Sequence, residues 1–136
     1  MMNDLNSLRH PVGGKVKIIL RLEGLCVLLG ALLAYTKFGA GWSMFAWLFF
    51  VPDLSLLAYL AGPGIGAVLY NVTHSYAGPV MLLGAHLIMG SPPLLAVGLV
   101  WFAHIGFDRA LGYGLKYPQG FRFTHLGTIG RQADGA

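Results

Sequence analysis

Charged residues are scarce in this chain of 136 residues, and its middle has none. Nine basic and five acidic residues make up only 10% of the sequence, against about 25% in ordinary soluble domains. No charged residue lies between Leu54 and Phe107, apolar residues make up 56%, and the mean hydropathy is +0.66. This composition excludes an intrinsically disordered chain and argues against a soluble domain. It predicts an integral membrane protein.

The chain also has little cysteine. Cys26 is the single cysteine and can form no internal disulfide, so no oxidising compartment is implied, and its apolar surroundings predict a buried residue without a role. The N-terminal stretch is polar, and no small-residue cleavage site follows a short apolar core. We therefore expect no cleaved signal peptide.

The apolar sequence divides into four segments of the length that a membrane helix needs, about 20 residues. The segments are separated by a glycine-rich break near residue 40, by Gly62-Pro-Gly64 and by Ser91-Pro-Pro93. We predict spans at about 17–35, 42–60, 65–89 and 94–113, followed by a cytoplasmic tail at 114–136. The third span is long and contains Pro79, which predicts tilt or a kink. The predicted fold is all-α: a single membrane domain over 1–136, built as a bundle of four transmembrane helices.

The basic residues predict the orientation of this bundle. Eight of the nine lie in the first 21 residues or from Arg109 onward, whereas the breaks near residues 40 and 91 have only Lys37. By the positive-inside rule, both termini are expected on the cytoplasmic side. Because the basic residues flank apolar segments, they indicate membrane topology, and we expect no nucleic-acid partner. Small residues on the first span, such as Gly24 and Ala31, predict helix association into a homo-oligomer.

Six acidic residues and histidines lie within the predicted spans, where an ionisable group costs about 2.5–3.5 kcal/mol to insert. Counted at about 1.5 Å per residue from the cytoplasmic end of each helix, five of them fall roughly 8–14 Å deep. These five are Glu23, Asp53, His74, His104 and Asp108. The sixth, His86, lies about three turns beyond His74 and is left out of the predicted site. The shared depth on four helices predicts one site.

Two imidazoles and two carboxylates suit a divalent ion such as zinc or manganese. We predict Asp53, His74, His104 and Asp108 as metal ligands, since His104 and Asp108 lie one turn apart on one helix face. Glu23 and Asn71 are predicted as catalytic residues: Glu23 orients a histidine or acts as a base, and Asn71, Tyr70 or Arg109 contacts the substrate.

This pattern allows three functions. The first is a membrane-embedded, metal-dependent hydrolase that opens to the cytoplasmic leaflet and acts on a lipid or another amphiphile. The second is a small channel or transporter component, because acids and histidines in spans also build proton or cation paths. The third is a non-catalytic membrane scaffold, in which the histidines and aspartates tie helices together by hydrogen bonds.

Four longer strings in the sequence resemble a known family. They are VPDLS at 51–55, YNVTHSY at 70–76, AHIGFDRALGYGLKY at 103–117 and THLG at 124–127. These strings look like a bacterial integral-membrane family described as domain of unknown function 4260, from Arg21 onward. The resemblance implies a multi-pass protein of the bacterial cytoplasmic (inner) membrane, and it implies no activity.

A more distant similarity is to the membrane-bound metal-dependent hydrolases associated with LexA regulation. That family has a Pro-Asp motif, a Thr-His-Ser motif and a later His-x-x-x-Asp motif on successive apolar helices. The matching positions here are Pro52-Asp53, Thr73-His74-Ser75, His104, Asp108 and, downstream, Tyr117-Pro118. Ser55 and Leu69 stand where that family has a second acid and a first histidine. The resemblance therefore implies a hydrolase with a single ion, or with a degenerate site, rather than a two-metal site.

Overall fold

The structure, a computed structural model, describes residues 13–116 and 123–129, and the described chain is almost entirely helical. Its helices are α1 (Gly14–Phe38), α2 (Trp42–Phe49), a 3-10 helix (Val51–Ala61), α3 (Pro63–Thr73), α4 (Ala77–Met89) and α5 (Pro92–Leu111). A short antiparallel pair, β1 (Phe123–Thr124) and β2 (Gly127–Thr128), follows, and Lys116 forms a bridge to Thr124. The predicted all-helical fold is confirmed at this level. The predicted Tyr117-Pro118 match lies outside the described residues.

Three helical segments in the described chain are long and apolar enough to cross a membrane. They are Gly14–Phe38, Trp42–Ala61 and Pro92–Leu111, and the second consists of α2 and the 3-10 helix that follows it. They correspond to the first, second and fourth predicted spans. The chain is therefore membrane-protein-like, as its composition predicts.

The predicted third span, 65–89, is not one continuous helix. The helix ends at Thr73 and a new one begins at Ala77, so that α3 has 11 residues and α4 has 13. The interruption lies before Pro79, which occupies the first turn of α4. Proline has no N–H group to donate to the preceding turn, so it fits at the start of a helix better than in the interior.

The second segment changes its helical geometry at Pro52. The Asp53 N–H donates to the Phe50 carbonyl at 3.1 Å, three residues back, and the 3-10 helix then continues for 11 residues. Runs longer than about four residues are uncommon in this geometry and often mark functional positions. The 3-10 helix ends at Ala61. Gly62 follows it with a φ of 127°, which glycine adopts without steric strain, and Pro63 begins α3.

The helix α5 is the centre of the bundle and packs most extensively against α1. A Cβ on Gly106 would lie 2.7 Å from the Gly24 carbonyl oxygen, so small residues let the two backbones approach closely. Further along, Tyr35 of α1 packs with Ala96, Leu99 and other residues of α5 in the apolar core. The earlier residue of α1, Gly24, thus meets the later part of α5, and the later residue, Tyr35, meets the earlier part. The two helices are therefore antiparallel.

The outward faces of the helices are apolar. Leu33 of α1, Leu60 of the 3-10 helix and Ile88 of α4 are 72%, 89% and 88% exposed, which is expected for side chains that contact lipid. Cys26 is exposed as well, so the prediction that it is buried is wrong. Gly24 and Ala31, predicted to support self-association, are buried within the chain. Self-association stays a prediction.

Candidate metal centre

Four predicted ligands converge in the structure. One ligand atom from each of Asp53, His74, His104 and Asp108 lies within 4.8 Å of the others. Asp53 comes from the first turn of the 3-10 helix, His74 from the end of α3, and His104 and Asp108 from successive turns of α5. Three separate segments thus bring together four side chains that the sequence predicted to share one site.

Five of the six distances among the four candidate ligand atoms are close to the edge of a tetrahedron around a zinc-sized ion, and the sixth pair, the two carboxylates, lies within 4.8 Å. Each histidine Nε2 lies 3.3 Å from Asp53 Oδ1 and 3.4 Å from Asp108 Oδ2, and the two Nε2 atoms lie 3.1 Å apart. A tetrahedral ion with ligands at about 2.0–2.1 Å has ligand–ligand distances of about 3.3–3.4 Å. The donor set and its dimensions therefore fit a zinc-sized dication.

The His74 ring is held so that its Nε2 faces the carboxylates. His74 Nδ1 lies 2.9 Å from the Tyr70 carbonyl oxygen, to which a protonated Nδ1 donates. The Tyr70 ring stacks on the imidazole, with centroids 3.8 Å apart and planes at 10°, and Thr73 Oγ1 lies 2.9 Å from Nδ1. A proton on Nδ1 leaves the Nε2 lone pair directed at the site, as a histidine ligand requires.

The second histidine is held by packing. The His104 ring meets the Phe49 ring edge-on at 5.0 Å, and within the described residues its Nδ1 has no hydrogen-bond partner. Both histidines are almost fully buried, at 0% and 1% exposure, and Asp108 is 9% exposed. The Asp53 side chain, at 41%, is the most accessible ligand. The cluster is therefore reached from the side of Asp53.

The interruption between α3 and α4 is stabilised by two side chains of α5. The Trp101 indole N–H donates to the Thr73 carbonyl at 2.6 Å, and Arg109 donates to the His74 carbonyl at 2.8 Å and to the Tyr113 carbonyl at 2.8 Å. Without water, a broken helix in a membrane must satisfy its free carbonyls in this way. Arg109 is buried and holds the backbone of His74, so the expectation that it contacts substrate has no support here.

A cleft of about 360 Å³ opens onto the cluster. Its polar wall contains Asp53, Asp108, Tyr70 and Lys116, and its remaining wall is mostly apolar. The Lys116 ammonium lies 4.6 Å from the Tyr70 ring centroid. Burial lowers the pKa of Lys116 to about 8, and the negative charge of Asp108 opposes this shift. Tyr70 lines the cleft, and its role as a substrate contact stays a prediction.

Lys116 was missed by reasoning from sequence. It lies at the end of the string that begins with Ala103, but a lysine after a span is an ordinary topology signal. The side chain of Asn71 accounts for its position: Nδ2 donates to the Lys116 carbonyl at 2.8 Å and Oδ1 accepts from the Lys116 N–H at 2.7 Å. Asn71, predicted as a catalytic residue, thus fixes the Lys116 backbone with both ends of its amide.

Glu23, the other predicted catalytic residue, is not brought into the cluster. It lines a different cavity of about 570 Å³, together with Tyr76, Arg109 and His125. Burial lowers the pKa of His125, and the positive charge of Arg109 adds to this effect. His86, which was left out of the predicted site, lies apart from it and its Nδ1 bonds the Ser91 carbonyl at 2.7 Å in the turn before α5.

The sequence matches one family model. The model is described as "Domain of unknown function (DUF4260)" and covers residues 17–129. No curated protein and no solved structure matches the chain, so the more distant resemblance to metal-dependent hydrolases has no support from these comparisons. Because the match covers most of the sequence, the chain belongs to the DUF4260 family.

Proposed function

We propose that this chain is a membrane-embedded, metal-dependent hydrolase with one divalent ion held by Asp53, His74, His104 and Asp108. The observation that carries the proposal is the convergence of two imidazole nitrogens, 3.1 Å apart, with two carboxylate oxygens that each lie 3.3–3.4 Å from both nitrogens. Lone pairs in this arrangement repel one another unless a proton or a cation lies between them. Zinc is favoured over manganese, because manganese prefers six oxygen ligands.

The accessibility of the ligands assigns their roles in hydrolysis. A zinc ion lowers the pKa of a coordinated water to about 7 and polarises an ester or phosphoryl oxygen. The buried residues His74, His104 and Asp108 would hold the ion throughout, and the more exposed Asp53 would yield its position to the attacking water. Asp53 would then accept a proton from this water and return it to the leaving alkoxide. The products are the acid and the alcohol.

The same proposal includes the remaining membrane crossing. We propose that α3 and α4 together make the third of four spans, with both termini and the cleft toward the cytoplasm of a bacterium and the protein in its inner membrane. The clustering of basic residues at the chain ends supports this orientation. In a Cys26→Ser background, Ser91→Cys should react with an impermeant maleimide on intact spheroplasts, and Gly13→Cys should react only after lysis. The reverse labelling pattern would refute the orientation.

Metal content and ester hydrolysis test the function. Detergent-purified protein loaded with zinc should retain about one ion per chain and hydrolyse p-nitrophenyl decanoate in mixed micelles, whereas His104→Ala should lose both. His86→Ala is the matched control and should keep both, because His86 caps a turn elsewhere. Wild-type protein that retains no zinc, manganese or iron would contradict the proposal.

Two other outcomes distinguish the alternatives. Loss of thermal stability in Asp108→Ala, without metal binding by the wild type, would favour a scaffold held by hydrogen bonds. Proton flux in liposomes that is lost in Asp53→Asn would favour a channel. For a channel the sequence offered Glu23 as a further member of the path, and Glu23 lines another cavity.

A further inference from the structure

The cavity that Glu23 lines is separate from the cleft at the metal cluster, and its wall has charges of both signs. The polar side chains in this wall are those of Glu23, Tyr76, Arg109 and His125. Glu23 is exposed and Arg109 is 8% exposed, and Tyr76 lies close enough to interact electrostatically with both. The salt bridges among the described residues all involve His74 or His104. Glu23 and Arg109 thus line one cavity without pairing across it.

The Arg109 side of the cavity suits a phosphate group. Two N–H groups of the guanidinium donate to the His74 and Tyr113 carbonyls, both at 2.8 Å, and these bonds hold the group in place. A guanidinium has further N–H donors and binds phosphate oxygens strongly. His125 adds a donor, because its Nδ1 accepts the Leu115 N–H at 2.8 Å and the neutral ring then has its proton on Nε2.

The Glu23 side of the cavity lies near the level of the lipid headgroups. The helix α1 has 25 residues, which is about 37 Å at 1.5 Å per residue, against a hydrocarbon core of about 30 Å. Because Lys15, Lys17 and Arg21 occupy its N-terminal turns, we expect this end of α1 to extend into the headgroup region. Glu23 follows Arg21 by two residues, at the boundary of the hydrocarbon core. A carboxylate at this boundary is stabilised by a cationic partner.

The remaining wall of the cavity suits acyl chains. Ile19, Leu20, Leu22 and Val27 of α1 line it, and Ile19 and Leu22 are each 55% exposed. The apolar wall therefore continues onto the outer face of α1, where lipid is expected. The volume of about 570 Å³ is within the usual range for small-molecule sites, about 300–1,000 Å³. It accommodates a phospholipid head and the first part of its chains.

From these observations we infer that the cavity binds a membrane phospholipid with a primary ammonium group, of the phosphatidylethanolamine type. Its ammonium bonds the Glu23 carboxylate, its phosphate bonds Arg109 and His125, and its acyl chains follow α1. The quaternary ammonium of phosphatidylcholine has no N–H to donate to Glu23, and phosphatidylglycerol has no cation. The lipid is a ligand outside the metal cleft rather than the substrate of the proposed hydrolase, so this inference does not rest on that function.

Binding of four dioctanoyl probes to the full-length protein in maltoside micelles, measured by native mass spectrometry, tests the inference. The probes are the phosphatidylethanolamine, the phosphatidylcholine, the phosphatidylglycerol and dioctanoylglycerol, which has no phosphate. The wild type should bind the phosphatidylethanolamine roughly 10-fold or more tightly than the other two phospholipids, and dioctanoylglycerol most weakly. Glu23→Gln should weaken phosphatidylethanolamine binding by roughly 10–100-fold, the usual range for loss of a charged hydrogen bond.

A matched control and the other probes distinguish recognition from a structural role. Asp53→Asn makes the same carboxylate-to-amide change in the cleft at the metal cluster and should bind phosphatidylethanolamine as the wild type does. Glu23→Gln should keep its affinity for phosphatidylglycerol, because the phosphate contacts remain. An equal loss of affinity for both lipids would overturn the assignment of Glu23 as the ammonium partner.

The wild-type comparison requires no variant. Equal binding of all three phospholipids would overturn the inference, and dioctanoylglycerol bound as tightly as phosphatidylglycerol would refute recognition of the phosphate. Metal-free wild type should show the same lipid preference as the zinc-loaded protein. The lipid preference and the zinc content are thus separate measurements, and failure of one leaves the other standing.

Discussion

The two halves of α5 are both buried, but they are buried against different partners. The N-terminal half packs Ala96, Leu99 and Val100 against Tyr35 and other apolar residues. The C-terminal half buries His104, Asp108 and Arg109 among polar groups. In a bilayer, apolar side chains are equally well accommodated by lipid, whereas buried ionisable groups need specific partners. The contrast shows that the first half of α5 packs through apolar contacts and the second half contains its buried ionisable residues.

The second half also faces the irregular parts of the backbone. Asp53 begins a long 3-10 helix, and His74 ends α3 at an interruption whose carbonyls are bonded by Trp101 and Arg109. Irregular backbone at membrane depth is tolerated where protein groups satisfy it. Two of the four candidate ligands, Asp53 and His74, are therefore positioned by irregular backbone segments.

The largest expected effect is loss of metal binding on removal of a ligand in the polar half. His104→Ala should weaken zinc affinity by more than ~100-fold, because ligands matter more than their supporting residues, which are typically worth 10–100-fold. Competition against a chromogenic chelator measures this change. His86→Ala should match the wild type, and zinc affinity that persists in His104→Ala would show that the cluster is not the binding site.

A substitution in the apolar half should change stability and leave the metal alone. Leu99 is 7% exposed. Leu99→Ala should lower the free energy of unfolding by about 2–3 kcal/mol, because it leaves a cavity where the leucine packed. Denaturation in mixed detergent micelles measures the change. Zinc affinity that falls together with stability would remove the distinction between the two halves.

Arg109 holds the backbone at the break between α3 and α4. Its substitution should therefore affect both the free energy of unfolding and zinc affinity moderately. Arg109→Met removes charged hydrogen bonds to the His74 and Tyr113 carbonyls and should lower stability by about 2 kcal/mol. It should also weaken zinc binding by roughly 10-fold, because the His74 ring follows its backbone. Lys37→Met serves as a control for loss of positive charge. An unchanged zinc affinity would mean that the break does not position His74.

The smallest effect is expected at Thr73. Its hydroxyl bonds the Tyr70 carbonyl at 3.0 Å and Ser55 Oγ at 2.9 Å, and it lies near His74 Nδ1, which keeps its bond to Tyr70 without it. Thr73→Val should therefore cost less than ~1 kcal/mol of stability. Metal titration should show only a small change in affinity. A loss as large as that in His104→Ala would assign the orientation of His74 to the hydroxyl rather than to Tyr70.

The metal cluster could be predicted from the sequence because membrane insertion makes ionisable residues rare and their depth countable. Helix rise placed Asp53, His74, His104 and Asp108 at one depth, and their side-chain chemistry grouped them as candidate ligands. The structure brings these four side chains together. Glu23 was counted at the same depth, but it lies on α1 beside Gly24, which packs against Gly106 of α5. Its side chain lines a different cavity. Depth fixes a position along a helix and leaves the direction around it undetermined.

The break in the third predicted span and the position of Lys116 could not be predicted in the same way. Both depend on side chains distant in sequence: Trp101 and Arg109 bond the carbonyls at the break, and Asn71 fixes Lys116 across 45 residues. Hydropathy reports only that the segment is apolar. A pattern of local composition contains no information on which distant donor satisfies a free carbonyl.

X-ray absorption spectroscopy at the zinc edge of the loaded wild-type protein tests the central claim most directly. The account predicts a four-coordinate ion with two imidazole nitrogens and two carboxylate oxygens at about 2.0–2.2 Å, and a shell with one imidazole fewer in any metal that His104→Ala retains. A six-oxygen shell in the wild type, or a spectrum unchanged in His104→Ala, would contradict it.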